Sequence, residues 1–189
     1  MKIDSLVQGR CVLIGRPGIA MNEDQSVWTK KIKCSVLAQG LFTSAVATDR
    51  QEGDWAKVEC SASLRDQFFY ERACLRLVAT YLAAEENLQL PERFAFGVKY
   101  EMLMREFDSS IVKSCDPYLE AYQSHEAGDL SAAAAVAAVF ARPRAVAGVF
   151  ARRCGDADNQ SFLKFGYASF VVLQEAQPRM ILSYKTKLD

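Results

Sequence analysis

Arg142, Arg144, Arg152 and Arg153 lie close together at the end of the alanine-rich stretch Asp129–Arg153. A guanidinium is a planar fork of donors that matches phosphate oxygens, so the chemistry such a group offers is contact with a nucleic-acid backbone. The whole chain carries 23 basic and 23 acidic residues and no net charge. Any affinity for a polyanion must therefore come from a local basic face, because it scales with the phosphates actually neutralised. The surrounding residues predict how the arginines are held. Asp129 can cap a helix N-terminus, the alanines favour helix, and Pro143 stops one helix while suiting the first turn of the next. Val136, Val139, Phe140, Val146 and Val149 fall near three-to-four spacing, so the two short helices can pack on each other. That outline is a helix-turn-helix whose second helix begins with Arg142 and Arg144, ends with Arg152 and Arg153, and could lie in a DNA groove. An alanine-rich hairpin that fills a core is the alternative for the same residues.

Composition narrows the class. A length of 189 residues, half of them apolar, suits one compact unit with a real core. No apolar run reaches the length of a membrane span, which predicts no membrane insertion. The opening Met-Lys-Ile-Asp-Ser-Leu lacks the apolar stretch of a secretion signal. Six cysteines are scattered without a Cys-x-x-Cys pair. Together these features point to a reducing, cytoplasmic setting with thiols packed as small apolar groups. His125 is the sole histidine and cysteine pairs are lacking, so a zinc site is not expected. The same isolation makes His125 an incidental residue rather than a catalyst.

Local patterns predict an α+β chain. Residues 1–14 suggest strands, and Gly15-Arg-Pro-Gly18 is a turn without the Lys-Ser/Thr of a phosphate loop. Residues 26–39 fit helix or strand, residues 41–48 look extended, 49–54 form a polar turn, and 55–60 alternate as the second strand of a hairpin. Residues 64–84 predict a helix with the stripe Phe68, Leu75, Val78 and Leu82, closed by Pro91. Phe94, Phe96, Val98 and Tyr100 share one face of a strand over 93–102, although the same residues could continue as helix through Met104. A helix begins at Asp116. Residues 167–173 and 180–184 read as two strands around Gln177-Pro178. Residues 1–115 thus form an α/β core, and residues 116–189 a helical segment with a terminal hairpin packed on it. Trp28 and Trp55 read as core or rim aromatics, and Phe68, Phe69 and Tyr70 as core.

Taken in order, several segments resemble the ParB/sulfiredoxin family. Lys2-Ile-Asp-Ser-Leu6 is similar to its opening strand, Gln39-Gly40-Leu41 with 42–48 to a helix end and strand, and Gly53–Glu59 to the next strand. Tyr70-Glu71-Arg72-Ala73 resembles the family's Gly-Glu-Arg-Arg helix start, with Tyr70 in place of glycine and Ala73 in place of the second arginine. Pro117–Tyr122 and 129–153 are similar to the helices that follow the core in ParB proteins. The resemblance implies a small mixed sheet with helices and a phosphate site at a helix start, where backbone N–H groups attract anions. Glu71 and Arg72 would be catalytic, Glu71 would hold a divalent metal such as Mg2+, and Arg65, Arg72 and Arg76 would bind the phosphates of ATP. Without the resemblance, Glu71 and Arg72 are ordinary members of a solvated helix face. Within the superfamily, chain length and the mixture of features resemble the fertility-inhibition proteins of conjugative plasmids. That implies an ATPase and DNase that blocks DNA transfer through a type IV secretion system. Its partners would be DNA and a coupling protein or a relaxase–DNA complex. Two alternatives stand beside it: a DNA-binding regulator without chemistry, and an inhibitor that simply occludes a partner.

Overall fold

Phe68, Leu75, Val78 and Leu82 recur at helical spacing, and helix α3 (Arg65–Asn87) buries all four. The computed structural model describes residues 30–48, 51–124 and 132–188. Before α3 come β1 (Lys30–Lys33), α1 (Cys34–Val46) and α2 (Gln51–Trp55). After it come α4 (Leu90–Phe107), α5 (Ile111–Gln123), α6 (Ala132–Arg153), α7 (Gln160–Leu182) and β2 (Tyr184–Lys187). Helices α1, α5 and α7 all pack on α3, while α1 also packs on α4 and α6 on α7. Phe68 is the aromatic hub, with the rings of Trp55, Phe69, Phe150, Phe162 and Phe165 centred 5.0 to 6.1 Å from its own. Edge-on and tilted ring pairs of this kind add to plain area burial. Among the described residues no helix is long and apolar enough to cross a membrane.

The α+β architecture expected from the sequence is overturned. Among the described residues the chain is a helical bundle. Its one strand pair is β1 with β2, parallel, in a register that sets Lys30 against Tyr184 and Lys33 against Lys187. The segment 41–48 belongs mostly to α1, because Leu37, Ala38, Leu41, Phe42 and Ala45 form a buried face at three-to-four spacing. Residues 51–55 are helix α2 rather than part of a polar turn. The expected strand at 55–60 is a turn, closed by Ala56 N–H on Glu52 O and Val58 N–H on Trp55 O, both at 3.0 Å. Over 93–102 two periods compete for the same residues. A strand would bury Phe94 with Phe96, Val98 and Tyr100, but Phe94 is 60% exposed and Val98 47%. Phe96, Tyr100, Leu103 and Met104 are buried, which is the helical period, and Pro91 opens α4 in its first turn instead of closing α3. The expected C-terminal hairpin at 167–185 is mostly α7, which buries Phe162, Phe165, Gly166, Phe170 and Ile181 on one side and carries Pro178 internally.

The helix-turn-helix is corrected in the same way. Residues 132–153 form the single helix α6, with Pro143 inside it. An interior proline costs a helix roughly 3 kcal/mol. Here that cost is outweighed by the alanines around it and by the buried face Val146, Ala147, Val149, Phe150, Ala151 and Cys154. The break falls later. Gly155, at φ 97, closes α6: its N–H donates to Arg152 O at 3.1 Å, and Asp156 N–H donates to Ala151 O at 3.2 Å. That is the glycine-dependent helix stop in which two orphan carbonyls are satisfied at once. Helix α7 then starts from Asn159, whose Oδ1 accepts from Ser161 N at 3.0 Å and Phe162 N at 3.2 Å. At the α6–α7 crossing Gly166 lets the backbones close in, since a Cβ there would stand 3.2 Å from Ala147 Cα and 3.1 Å from the Phe150 ring. Several expectations fall outside the described residues: the strands of 1–14, including Lys2–Leu6, the turn Gly15–Gly18, Trp28, the Asp129 cap and His125.

Candidate functional site: a basic cleft beside helix 3

Adjacent residues on an α-helix point about 100° apart, so Glu71 and Arg72 cannot face the same way. In the structure they diverge. Arg72, with Leu75 and Arg76 one turn on, lines a cleft of about 690 Å³. The turn after α2 supplies Lys57 and Glu59 to it, and α2 itself supplies Asp54. The first turns of α7 supply Gln160, Ser161 and Lys164, and its continuation supplies Phe165, Ala168, Ser169, Val172 and Leu173. Four cations therefore meet two carboxylates, and one side of the cleft is apolar. The rim is tied down by hydrogen bonds: Glu59 N–H donates to Ser161 Oγ at 2.9 Å, and Asn159 Nδ2 donates to Glu59 O at 3.1 Å.

The arginines are anchored from α1. Arg76 Nη2 donates to Ser44 O at 2.7 Å, and Arg72 Nη1 to Ala47 O at 3.3 Å. Arg72 Nε also donates to Asp54 Oδ2 at 2.6 Å, while Lys57 Nζ sits 2.8 Å from Asp54 Oδ1. Burial by itself would raise the Asp54 carboxyl. The hydrogen bonds and charges of Lys57 and Arg72 outweigh it and hold the group below the ordinary carboxylate value. Two of the five donors on the Arg72 guanidinium are thus used inside the protein, on Asp54 and on Ala47 O.

Glu71 lies on the other side of α3 with 0% exposure. Its Oε1 accepts from Gln67 Nε2, and its Oε2 accepts from Tyr118 Oη and from Arg153 Nε, each at 2.8 Å. Burial, then the charge of Glu71 and the hydrogen bond to it, push the Tyr118 phenol far above its usual value. The hydrogen bond to Glu71 is likewise the main reason Arg153 holds its proton more tightly than an ordinary arginine. This network joins α3, α5 and α6. With both oxygens engaged and no exposed surface, Glu71 does not fit the role of a metal ligand. Among the described residues no group of three His, Cys, Asp or Glu side chains is placed to hold an ion.

The remaining arginines do not share a surface. Arg65 pairs with Glu52 and lies over the Phe69 ring at 5.4 Å, outside the cleft lining. On α6, Arg142 covers the Tyr122 ring at 4.8 Å, Arg153 is taken by Glu71, and Arg144 and Arg152 are exposed. On one continuous helix these four positions spread around the axis, whereas a recognition helix would present them together. Of the arginines singled out in the sequence, the cleft thus gathers Arg72 and Arg76. It adds Lys57, Lys164 and Asp54, which sequence reasoning passed over. The signal for Lys164 lay in the Phe162, Phe165 and Phe170 spacing, which marks 160–182 as a helix with Lys164 beside its buried face. Comparison of the chain with protein families, with curated proteins and with solved structures gives no match.

Proposed function

We propose that this protein binds phosphate groups of a nucleotide and of a DNA strand in the cleft. Arg72 and Arg76 are the inner ligands and Lys57 and Lys164 the outer ones. One observation carries this reading: in a chain with no net charge, four cations converge on a single concavity against two carboxylates. A local excess of this kind raises the concentration of anionic ligand where the low-dielectric walls focus the field. The apolar flank of Phe165, Val172 and Leu173 suits a base or sugar beside the phosphates, and the size is that of a small-molecule site.

The reaction comes from the sequence resemblance alone; the strands that it implies at 42–48 and 53–59 are helix and turn in the structure. The resemblance assigns ATP hydrolysis and DNA cleavage to a plasmid-encoded fertility-inhibition factor that blocks DNA transfer through a type IV secretion system. Phosphoryl chemistry depends mostly on positioning and on neutralising charge on the transferred group, and arginines fixed by backbone carbonyls can supply both. A divalent metal would bring Lewis-acid help when bound to the phosphates, but Glu71 does not hold it. A second reading is favoured by that placement of Glu71: the cleft binds phosphate without cleaving it, and the protein inhibits by occupying its target.

The test uses wild type, Arg76→Ala, Lys164→Ala and Glu71→Gln, each with ATP and with single-stranded DNA in magnesium. Arg76→Ala and Lys164→Ala should each weaken binding of both ligands by roughly tenfold, the scale of one charge-assisted contact. Release of inorganic phosphate or DNA fragments that falls in step supports the hydrolase; tight binding with no product supports the occluding inhibitor. Binding unchanged in both cleft variants sinks the site itself.

A further inference from the structure

Arg72 forms part of the cleft wall, yet its side chain keeps only 3% of its surface exposed. Asp54 stands on it. One carboxylate oxygen takes Arg72 Nε at 2.6 Å and the other takes Lys57 Nζ at 2.8 Å. A single carboxylate thus bridges two of the four cleft cations, each through a different oxygen, as a phosphate would. The element that carries it is lightly held. Helix α2 is five residues long and buries none of them. Its side-chain ties to α3 are the Asp54–Arg72 pair, the Glu52–Arg65 pair, and edge contacts of Trp55 with Phe68 and Phe69 at 5.3 and 6.2 Å.

We propose that Asp54 is an internal counter-anion, which a ligand phosphate must displace to reach Arg72, and that this exchange makes the cleft select polyanions over monoanions. The inference rests on the phosphate-binding reading of the cleft. A monoanion replaces one negative charge with one negative charge and loses the contacts of α2, so it gains nothing. A diphosphate, or a run of DNA phosphates, brings more charge than it removes. Asp54 is the specificity element, and α2 is the strap that moves with it.

The probes are inorganic pyrophosphate and the monoanion dimethyl phosphate, titrated by calorimetry against wild type and Asp54→Asn. Wild type should bind pyrophosphate and take dimethyl phosphate at least tenfold more weakly. Asp54→Asn, which keeps the shape and removes the charge, should bind dimethyl phosphate roughly tenfold more tightly than wild type, the scale of one charge-assisted contact. If pyrophosphate binds both proteins and dimethyl phosphate binds them equally, the role of Asp54 is overturned while the cleft stands. If pyrophosphate binds neither and circular dichroism shows both folded, the cleft reading fails with it. Trp55 gives a readout that needs no change at Asp54. The chain has two tryptophans, so in a Trp28→Phe background the emission reports Trp55 alone. Saturating pyrophosphate should shift that emission as α2 leaves Phe68; an unchanged spectrum overturns the displacement.

Discussion

Glu71 takes hydrogen bonds from three helices at once, and that sets what its removal does. Tyr118 and Arg153 donate to one oxygen and Gln67 to the other, at a site with no exposed surface. Truncation leaves a buried phenol and a partly buried guanidinium without their acceptor, which costs more than the bonds themselves were worth. Glu71→Ala should lower folding stability by roughly 3 kcal/mol in urea titrations, the scale of breaking one side of a buried ion pair. A loss near zero would show that the carboxylate faces solvent. Asp54 makes a separate claim through pH. Its carboxyl is held below the ordinary value in the folded chain, so the unfolded chain binds its proton more readily. The stability Asp54 contributes is therefore complete above the ordinary carboxylate pKa and disappears as pH falls through the lowered folded value. Wild type and Asp54→Asn should differ in melting temperature near neutrality and converge as the acid is titrated. A gap that widens toward acid would contradict the Lys57 and Arg72 pairing.

At the scale of elements, helix α6 tests the replacement of a two-helix motif by one helix. If Pro143 sits inside a continuous helix, Pro143→Ala restores an N–H donor and removes a clash with the preceding turn. Stability should then rise by about 1–3 kcal/mol with helical content kept or increased. A turn at Pro143 would respond oppositely, since proline's fixed φ would be lost from a place that uses it. Thermal melts with far-ultraviolet circular dichroism separate the two. The same helix shows what the sequence could tell. The α3 stripe was legible because Phe68, Leu75, Val78 and Leu82 admit one period only. Phe94 to Tyr100 admits two, and Leu103 and Met104 decide it three residues later. Val171 and Val172 carry strand-like side chains, but Phe162, Phe165 and Phe170 impose the helical period around them. Pro143 and Pro178 were legible as breaks and are not, because packing of neighbouring residues overrides a local penalty. The true stop, Gly155, has the plain signature of a glycine after an arginine-rich last turn.

Across the whole molecule, charge is balanced in sum and uneven in place, and the cleft residues show why only half of this was readable. Arg72 and Arg76 are four apart on one helix, a spacing that puts them on one face in any reading. Lys57 and Lys164 come from segments far apart in the chain, and only the packing of α7 on α3 and the tie from Glu59 to Ser161 bring them together. Their joint presence has a measurable consequence. A neutral chain that binds DNA through a few local cations should show a shallow dependence of affinity on salt, because few counterions are released. Each cation in contact with a single strand contributes about 0.7 to the slope of log affinity against log salt. Lys164→Ala should thus flatten the slope by about 0.7 in fluorescence-anisotropy titrations with labelled single-stranded DNA. Lys113→Ala, on the exposed side of α5 and outside the cleft lining, is the matched loss of charge and should leave the slope unchanged. Equal flattening in both would mean that DNA feels the overall charge of the protein, and the cleft would have no special claim on phosphate. Flattening in Lys164→Ala alone locates the contact beside Arg72 and Arg76, where helix packing has assembled what the linear order kept apart.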